Sequence, residues 1–261
     1  MTEHAPVASG LPDGAETCLS FTVSGPWGHF RRIEGNIVKQ TYRVIPRTTV
    51  AGLIAAMLGI ERDGYYDLFA PGESLVAIEP TSELRTMKLP MNTLSTADEH
   101  LASLNPRGKL SIKLPDPSKP RQQHNYEVLV DPAYRVDVWL DDERYDQLRS
   151  LLESGESYYV PSLGLSEYLA TVDYHGEFPI EQGPDGDTVA IDSTVPEAVD
   201  SIVPDPETRY QIEQTPAFME RDDGGRTTSA FVSYAYNPDG GSLTFTDLST
   251  YSVDGRTVVF T

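Results

Sequence analysis

The stretch from Val50 to Leu58 has no charged or hydrogen-bonding side chain, and it constrains the fold more than any other part of the chain. Thr48 and Thr49 precede it, and their hydroxyl groups can accept hydrogen bonds from the first free backbone N–H groups of a helix. Gly59 follows it and can adopt the left-handed conformation that ends a helix. A helix that is apolar on every face packs inside a protein. The sequence therefore predicts a buried helix between a threonine cap and Gly59.

A buried strand and a basic loop are expected ahead of this helix. Cys18 to Ser24 is short, rich in β-forming residues and bounded by Gly25-Pro26, as is typical of a strand that ends in a turn. The loop that follows carries only Glu34 as an acid. Its basic residues are Arg31, Arg32, Lys39, Arg43 and Arg47. This local excess of positive charge suggests a binding role, since the chain as a whole is acidic.

The overall charge indicates a folded protein adapted to high salt. The 261 residues carry 40 acidic and 20 basic side chains, a formal net charge of −20, and arginine outnumbers lysine by 15 to 5. Enough apolar residues remain for a core, so the acidity does not indicate disorder. The single cysteine, Cys18, cannot form an internal disulfide and is expected to be buried. With no leader-like or membrane-spanning stretch, we expect a soluble, cytoplasmic protein from a halophilic archaeon.

The basic residues concentrate in two segments. Residues 31–47 and 85–121 together hold 12 of the 20 basic residues but only 4 of the 40 acidic ones. The basic side chains of the second segment are Arg85, Lys88, Arg107, Lys109, Lys113, Lys119 and Arg121. Positive segments on a negative surface are typical of a polyanion site.

The order of predicted elements favours an α+β fold. Between residues 17 and 176 we expect strand, helix, strand, strand, helix, strand, which is the plan of ferredoxin-like (RRM-like) domains. Residues 1–16 are expected to form a flexible N-terminal arm. Residues 177–261 are expected to form a smaller β-rich C-terminal extension, including a hairpin across Asn237 to Gly241.

One long insertion interrupts this domain at about residues 88–124. It is rich in proline, and Gly108 to Leu114 alternates lysine with apolar residues. A connection of this length in a compact domain is usually functional or disordered. We interpret it as an extended β-hairpin arm that carries the second basic segment.

The common catalytic and metal-binding motifs are absent from the sequence. There is no phosphate-binding P-loop, HExxH, CxxC or GxSxG motif. The histidines are scattered singly, at His4, His29, His100, His124 and His175. No second ligand stands at metal spacing, so we predict neither a metal site nor a cofactor.

Three blocks of sequence resemble a known family. FTVSGPWGHFRR with TYRVIPRTTVAGLIAAMLGI, then NYEVLVDPAYRVDVWL, then SLGLSEYLATVDY lie between residues 18 and 174. They are similar, in the same order, to blocks of the CRISPR-associated Cas-five family, a subunit of the Cascade surveillance complex. With the acidic composition, the chain most resembles a type I-B member from a haloarchaeon.

The resemblance implies a non-catalytic RNA-binding subunit that caps the complex and holds the 5′ handle of the CRISPR RNA (crRNA). It implies a protruding thumb hairpin, for which residues 88–124 are the match. The implied partners are the crRNA, the Cas-seven backbone, the large subunit and a Cas-six endoribonuclease, with no membrane and no cofactor. The implied RNA-binding residues are Arg31, Arg32, Lys39, Tyr42, Arg43, Arg47, Thr48, Lys88, Arg107, Lys109 and Lys113.

Tyr42 and Thr48 each have an alternative role in this scheme. Tyr42 would stack on a base or pack in the core. Thr48 would bind a phosphate at the helix N-terminus or only cap the helix.

Two other functions remain open. In the type I-C branch of the family, the protein itself cuts precursor RNA with a tyrosine, a lysine and a histidine. Tyr42 and His124 match two of these positions, but Gln123 stands where that branch has its lysine, so the cation for the developing charge is missing. The third hypothesis is a salt-adapted scaffold that binds only protein.

Overall fold

A computed structural model describes residues 3–4, 10–32, 38–93, 101–104, 112–115, 122–141, 143–184, 186–222 and 225–261. These residues include two α-helices, α1 (Arg47–Leu58) and α2 (Arg144–Ser154), and short 3-10 helices at Asp67–Phe69 and Val199–Ser201. The strands, in chain order, are β1 (Glu3–His4), β2 (Thr17–Ser24), β3 (Trp27–Gly28), β4 (Phe30–Arg31), β5 (Val38–Lys39), β6 (Thr41–Tyr42), β7 (Ser74–Pro80), β8 (Arg85–Thr93), β9 (Leu101–Leu104), β10 (Ile112–Pro115), β11 (Gln122–Val130), β12 (Ala133–Leu140), β13 (Thr171–Pro179), β14 (Glu181–Gln182), β15 (Thr188–Ile191), β16 (Val195–Pro196), β17 (Gln211–Asp222), β18 (Gly225–Tyr236), β19 (Leu243–Thr246), β20 (Tyr251–Val253) and β21 (Arg256–Val258).

The central sheet has the strand order β13-β2-β12-β7, and every pair in it is antiparallel. Along the chain these strands and the helices follow as β2, α1, β7, β12, α2 and β13. Alternate residues of β2 point to opposite faces, so Leu19, Phe21 and Val23 join the main core with the helices, whereas Cys18 joins a second cluster with Val253. The described residues are mostly β with two α-helices, and the α+β prediction is confirmed at this level.

The predicted buried helix is present as α1, but its N-terminal cap differs from the prediction. Gly59 ends the helix in the left-handed conformation, with φ 74°, and its N–H donates to the carbonyls of Ala55 and Ala56. At the other end, the capping residue is Pro46, and no side chain makes a capping bond. The N–H groups of Thr49 and Val50 donate to the Pro46 carbonyl instead. The predicted threonine cap is therefore wrong, because the backbone of Pro46 accepts these donors.

A second sheet forms around β11. This strand pairs with β8 over nine antiparallel residue pairs, with β3 in antiparallel register, and with β5 in parallel register. Strands β9 and β10 pair with each other further along the insertion. The insertion at 88–124 thus contains two successive antiparallel strand pairs.

The C-terminal region shares the main core. Phe218, Val232 and Tyr234, from the long β17–β18 pair, lie in the same cluster as α1. Strand β13 also runs through the predicted boundary at residues 176 and 177. At the chain end, Thr261 exchanges backbone hydrogen bonds with Val76 of β7.

The predicted hairpin across Asn237 to Gly241 does not form. Strand β18 ends before this turn, and β19 after it pairs with β15. Leu243 and Phe245 of β19 are buried in a third cluster with Ile191 of β15. Burial of these side chains against β15 decides the pairing.

The first residues of the chain are partly packed. Glu3 and His4 form β1, which pairs in parallel with β18. Ala15 is buried, and Glu16 accepts a backbone hydrogen bond from Ile180. In the described ranges, no helix is long and apolar enough to cross a membrane.

Candidate nucleic-acid interface

Strand β11 brings the two basic segments together. Lys39, from the first segment, pairs with Tyr126 of β11. Lys88, from the second segment, pairs with the next residue, Glu127, on the other side of β11. Lys88 is exposed and Lys39 is half-buried. Segments far apart in the sequence therefore meet in one sheet.

Glu127 organises the centre of this sheet. Its Oε2 accepts a hydrogen bond from the Thr41 N–H at 3.3 Å, and its Oε1 accepts one from the Thr86 hydroxyl at 3.3 Å. The same Oε1 lies 3.8 Å from a guanidinium nitrogen of Arg43. Arg43 is therefore partly neutralised and held against the sheet, with about a third of its side chain exposed (32%).

A second acid, Glu213 of β17, holds the loop from the C-terminal side. Its Oε2 accepts hydrogen bonds from the N–H groups of Arg43 at 2.7 Å and Val44 at 3.1 Å. Its Oε1 lies 3.8 Å from Arg32. Because Glu213 is buried, desolvation raises the pKa of its carboxyl group, and the two backbone donors and nearby arginines oppose that rise. Glu34 is thus not the only acid that opposes the basic loop.

Arg31 occupies a different environment, beside the N-terminus of α1. It is exposed and lines a cavity of about 460 Å³ with Thr48, Thr49 and Arg226. Within the described part of the chain, Arg31 makes no salt bridge. Arg31 and Thr48, two of the predicted RNA-binding residues, thus line the same cavity, together with Arg226 from β18, which the sequence did not reveal.

Arg47 is not available to RNA, which corrects the prediction for this residue. It is 1% exposed, and its guanidinium donates to the carbonyls of Phe69, Ser74 and Thr261. Its Cζ lies 4.3 Å from the ring centre of Phe218. Desolvation lowers the pKa of Arg47 to about 10. The side chain ties α1 to the rest of the core, so we exclude it from the interface.

Tyr42 is also buried. Its side chain is 7% exposed and belongs to the main core, and Arg32 lies over its ring at 5.3 Å. Such a ring has no free face on which a base could stack. Of its two predicted roles, the structure favours packing.

The remaining predicted residues lie on the insertion. Arg107 and Lys109 are outside the described residues. Lys113 lies on β10, at the position that pairs with Ser103 of β9. His124 is half-buried on β11, paired with Met91.

His29 is a buried histidine at the edge of this region. One ring nitrogen, Nδ1, lies 2.7 Å from the Glu127 carbonyl oxygen, and the ring meets Tyr126 edge-on at 5.2 Å. Burial lowers the pKa of His29. Among the described residues, no group of three or more metal-ligating side chains is present.

The turn of the third sequence block supports the same region. Gly164 has φ 91°, and a Cβ atom there would lie 2.0 Å from the His29 carbonyl oxygen. The Leu163 carbonyl accepts a hydrogen bond from the His29 N–H at 3.0 Å. Only glycine permits this close approach between the turn and the strand that precedes the basic loop.

Sequence reasoning missed three functional neighbours. Glu127, Glu213 and Arg226 lie far from residues 31–47 in the chain, and no local pattern links them to that loop. A charge count by segment cannot find such neighbours, because it ignores charged residues that the fold brings close.

A comparison with a solved structure agrees with this architecture. A structure described as a CRISPR protein from Archaeoglobus fulgidus is 15% identical, with a TM-score of 0.51, over 93% of this chain and 98% of that chain. At this identity the similarity concerns the fold alone. A chain of a CRISPR RNA-guided surveillance complex aligns at 12% identity and a TM-score of 0.47, over 93% of this chain and 91% of that chain.

No curated protein matches the chain. A family model, described as CRISPR-associated protein (Cas_Cas5), matches residues 18–230, which is most of the chain. The chain therefore belongs to the CRISPR-associated Cas-five family.

Proposed function

We propose that this protein is a non-catalytic, cytoplasmic subunit of a type I-B Cascade complex that binds the 5′ handle of the crRNA. It caps one end of the complex and contacts a Cas-seven backbone subunit and the large subunit. A separate Cas-six endoribonuclease supplies the mature RNA. The acidic composition favours a haloarchaeal cytoplasm as the setting of this complex.

The meeting of the two basic segments at β11 carries this proposal. Lys88 pairs with Glu127 and lies on the same face of the sheet as the Glu127 side chain and its ion-pair partner Arg43, whereas Lys39 pairs with the preceding residue, Tyr126, and lies on the opposite face. A chain of net charge −20 has few cations, so their concentration at one sheet favours a polyanionic ligand.

The fold supports an RNA-binding assignment in two ways. The order β2, α1, β7, β12, α2, β13 with spatial order β13-β2-β12-β7 fits a ferredoxin-like domain, the plan that RNA-recognition modules share. The β8–β11 and β9–β10 pairs fit a thumb hairpin, on which Lys113, Arg107 and Lys109 would contact the handle.

High salt sets the type of contact that this interface needs. At molar ionic strength the Debye length is about 3 Å, so only short contacts retain their strength. Arginine supplies planar, bidentate hydrogen bonds to phosphate, and it is the main cation here. Arg32 and Arg43 lie 3.8 Å from their carboxylate partners, a separation that leaves donors for RNA.

Two observations favour binding without cleavage. The Tyr42 phenol, which the nuclease alternative needs, is enclosed in the core. Gln123, ahead of His124, supplies no cation for a developing negative charge.

The first experiment identifies the ligand and then tests the interface. A tagged copy is purified from its native host, and the RNA and proteins that accompany it are sequenced. Binding of the recovered 5′ segment, made as a fluorescent RNA, is then measured by anisotropy in molar KCl. We expect Arg43→Ala with Lys88→Ala to weaken binding about tenfold, because these two cations lie on the same face of the sheet and two phosphate contacts are lost.

A matched control removes the same charge elsewhere. Arg149→Ala with Arg209→Ala deletes two cations outside both basic segments and should leave the affinity unchanged. Equal loss in both double variants, or none in either, would count against the proposed interface. Purification without RNA but with partner proteins would favour the scaffold hypothesis.

The second experiment tests the nuclease alternative directly. Labelled precursor RNA is incubated with the protein in EDTA and analysed on a denaturing gel. We expect no cut upstream of the handle. A metal-independent cut that disappears in His124→Ala would overturn the non-catalytic assignment.

A further inference from the structure

A groove along the exposed side of α1 lies next to the proposed interface. Its first part is the 460 Å³ cavity that Arg31 and Arg226 line. Its second part is a cavity of about 590 Å³ lined by Arg62 and Tyr159. Gly52, Ala56 and Tyr65 line both cavities, so the two cavities are neighbours along α1.

Small residues make room for this groove. The outward positions of α1 include Gly52 and Ala56, whereas its other side is packed in the core. A Cβ atom on Gly52 would lie 3.1 Å from the Tyr65 hydroxyl, so the Tyr65 ring end approaches the helix closely there. The shape alone identifies no ligand, but the side chains around it do.

Cations from three separate parts of the chain surround the groove. Arg31 is the last residue of β4, Arg62 follows α1, and Arg226 is the second residue of β18 in the C-terminal region. Asp63 is the acid within reach of the last two, at 3.9 Å from Arg62 and 3.7 Å from Arg226. With Glu61 included, the groove still carries a positive balance on a strongly acidic protein.

Exposed side chains of residues 158–160 lie beside the groove, where Val160 lines its first part and Tyr159 lines its second part. Tyr158 is 71% exposed, Tyr159 is 50% exposed and Val160 is 70% exposed. The backbone N–H groups of Tyr158 and Tyr159 donate to the carbonyls of Met57 and Ala56, which fixes this segment across the end of α1. The two tyrosine rings meet edge-on at 4.9 Å. These backbone hydrogen bonds to α1 therefore hold both tyrosine rings at the surface.

We propose that this groove binds a short run of unpaired nucleotides that continues from the handle. A phosphate lies between Arg31 and Arg226, and a base stacks on Tyr159. Guanidinium groups beside exposed aromatic faces are the combination that proteins use for single-stranded nucleic acid. The β17–β18 strand pair thereby becomes part of the RNA site through Arg226. This inference rests on the proposed function, and it adds residues that the handle interface does not include.

Binding of the fluorescent RNA recovered from the native complex tests the groove. Tyr159→Ala should weaken binding about tenfold, and Tyr159→Phe should bind like the wild type, because stacking needs the ring and not the hydroxyl. Arg226→Ala should weaken binding about three- to tenfold and lower the slope of log affinity against log salt by about one. Tyr159→Ala should leave that slope unchanged.

The β17–β18 strand pair offers a matched control for Arg226. Arg221 lies directly opposite Arg226 in the β17–β18 register, but it lines a different cavity. Arg221→Ala should therefore leave both affinity and salt slope unchanged. A groove-filling change, Ala56→Gln, should weaken binding without removing a charge, and its thermal unfolding would confirm that the helix remains folded.

The outcomes separate this inference from the function on which it rests. If the wild type binds the RNA and all groove variants bind equally well, the inference is wrong and the function stands. If groove variants keep RNA but lose a protein subunit on purification, the groove is a protein interface and the inference is again overturned. If the wild type binds no RNA, the proposed function itself fails.

Discussion

The two ends of the basic segment at residues 31–47 have opposite environments. Arg31 is exposed beside a cavity, whereas Arg47 is enclosed and bonded to three backbone carbonyls. Both residues contribute equally to a charge count, yet only Arg31 can reach a ligand. A cluster of cations in a sequence can thus combine a surface function with a structural one.

The largest expected effect tests the buried end. Arg47→Ala removes the only donor group that reaches the carbonyls of Phe69 and Ser74 from α1 in the described structure. Leaving buried acceptors unpaired and opening a cavity should lower the free energy of unfolding by about 3 kcal/mol or more. Chemical denaturation in molar KCl measures this loss.

Arg31→Ala is the matched comparison, since its side chain is exposed. It should change the free energy of unfolding by less than about 0.5 kcal/mol. Equal destabilisation by the two substitutions would contradict the division between a buried and an exposed end. Arg47→Lys should also destabilise, because a lysine cannot reproduce the planar fork of donors.

A smaller effect tests the acid that fixes the middle of the segment. Glu213→Ala leaves the N–H groups of Arg43 and Val44 without their acceptor and should cost about 2 kcal/mol. Glu213→Gln keeps an acceptor and should cost much less. The pair separates the hydrogen-bonding role of Glu213 from its charge.

The pH dependence of Glu213→Gln has a definite sign. Burial raises the pKa of Glu213 above its ordinary value of 4.5, so its contribution to stability is fully present below that pH and declines as pH rises through the folded-state pKa. A glutamine side chain does not titrate, so its contribution to stability does not decline with pH. The stability of Glu213→Gln relative to the wild type should therefore rise between pH 4 and pH 7. A fall over this range would mean that Arg32 and Arg43 outweigh the cost of burial.

Local patterns predicted the elements that depend on nearby residues. Strand β2 and helix α1 with Gly59 agree with their sequence signals, because hydrophobic spacing and left-handed glycines act over a few residues. The succession of local patterns also predicted the order of the strands and helices. These signals do not specify which distant side chains meet.

Distant pairing accounts for most of what the sequence did not reveal. Glu213 reaches Arg43 across a separation of 170 residues, and β19 pairs with β15 instead of forming the predicted hairpin. Arg47 had one local signal of burial, since it follows Val44 and Ile45 and starts the apolar helix. Arginine is so seldom buried that its charge outweighed this signal in our prediction.

The smallest expected effect concerns Thr48, which lies between the two environments. It is half-buried at the start of α1, lines the Arg31 cavity and makes no capping bond. Thr48→Ala should therefore leave stability unchanged or raise it by about 0.5 kcal/mol, because alanine is the better helix former. A true capping threonine would instead cost about 1 kcal/mol on removal.

RNA binding by the same variant then decides the role of the Thr48 hydroxyl. If it donates to a phosphate held by Arg31, Thr48→Ala should weaken RNA binding about three- to tenfold at unchanged stability. Thr48→Ser keeps the hydroxyl and should restore binding. Equal affinity of all three proteins would show that the phosphate contacts of this cavity come from the arginines alone, and the exposed end of the segment would then act only through its charge.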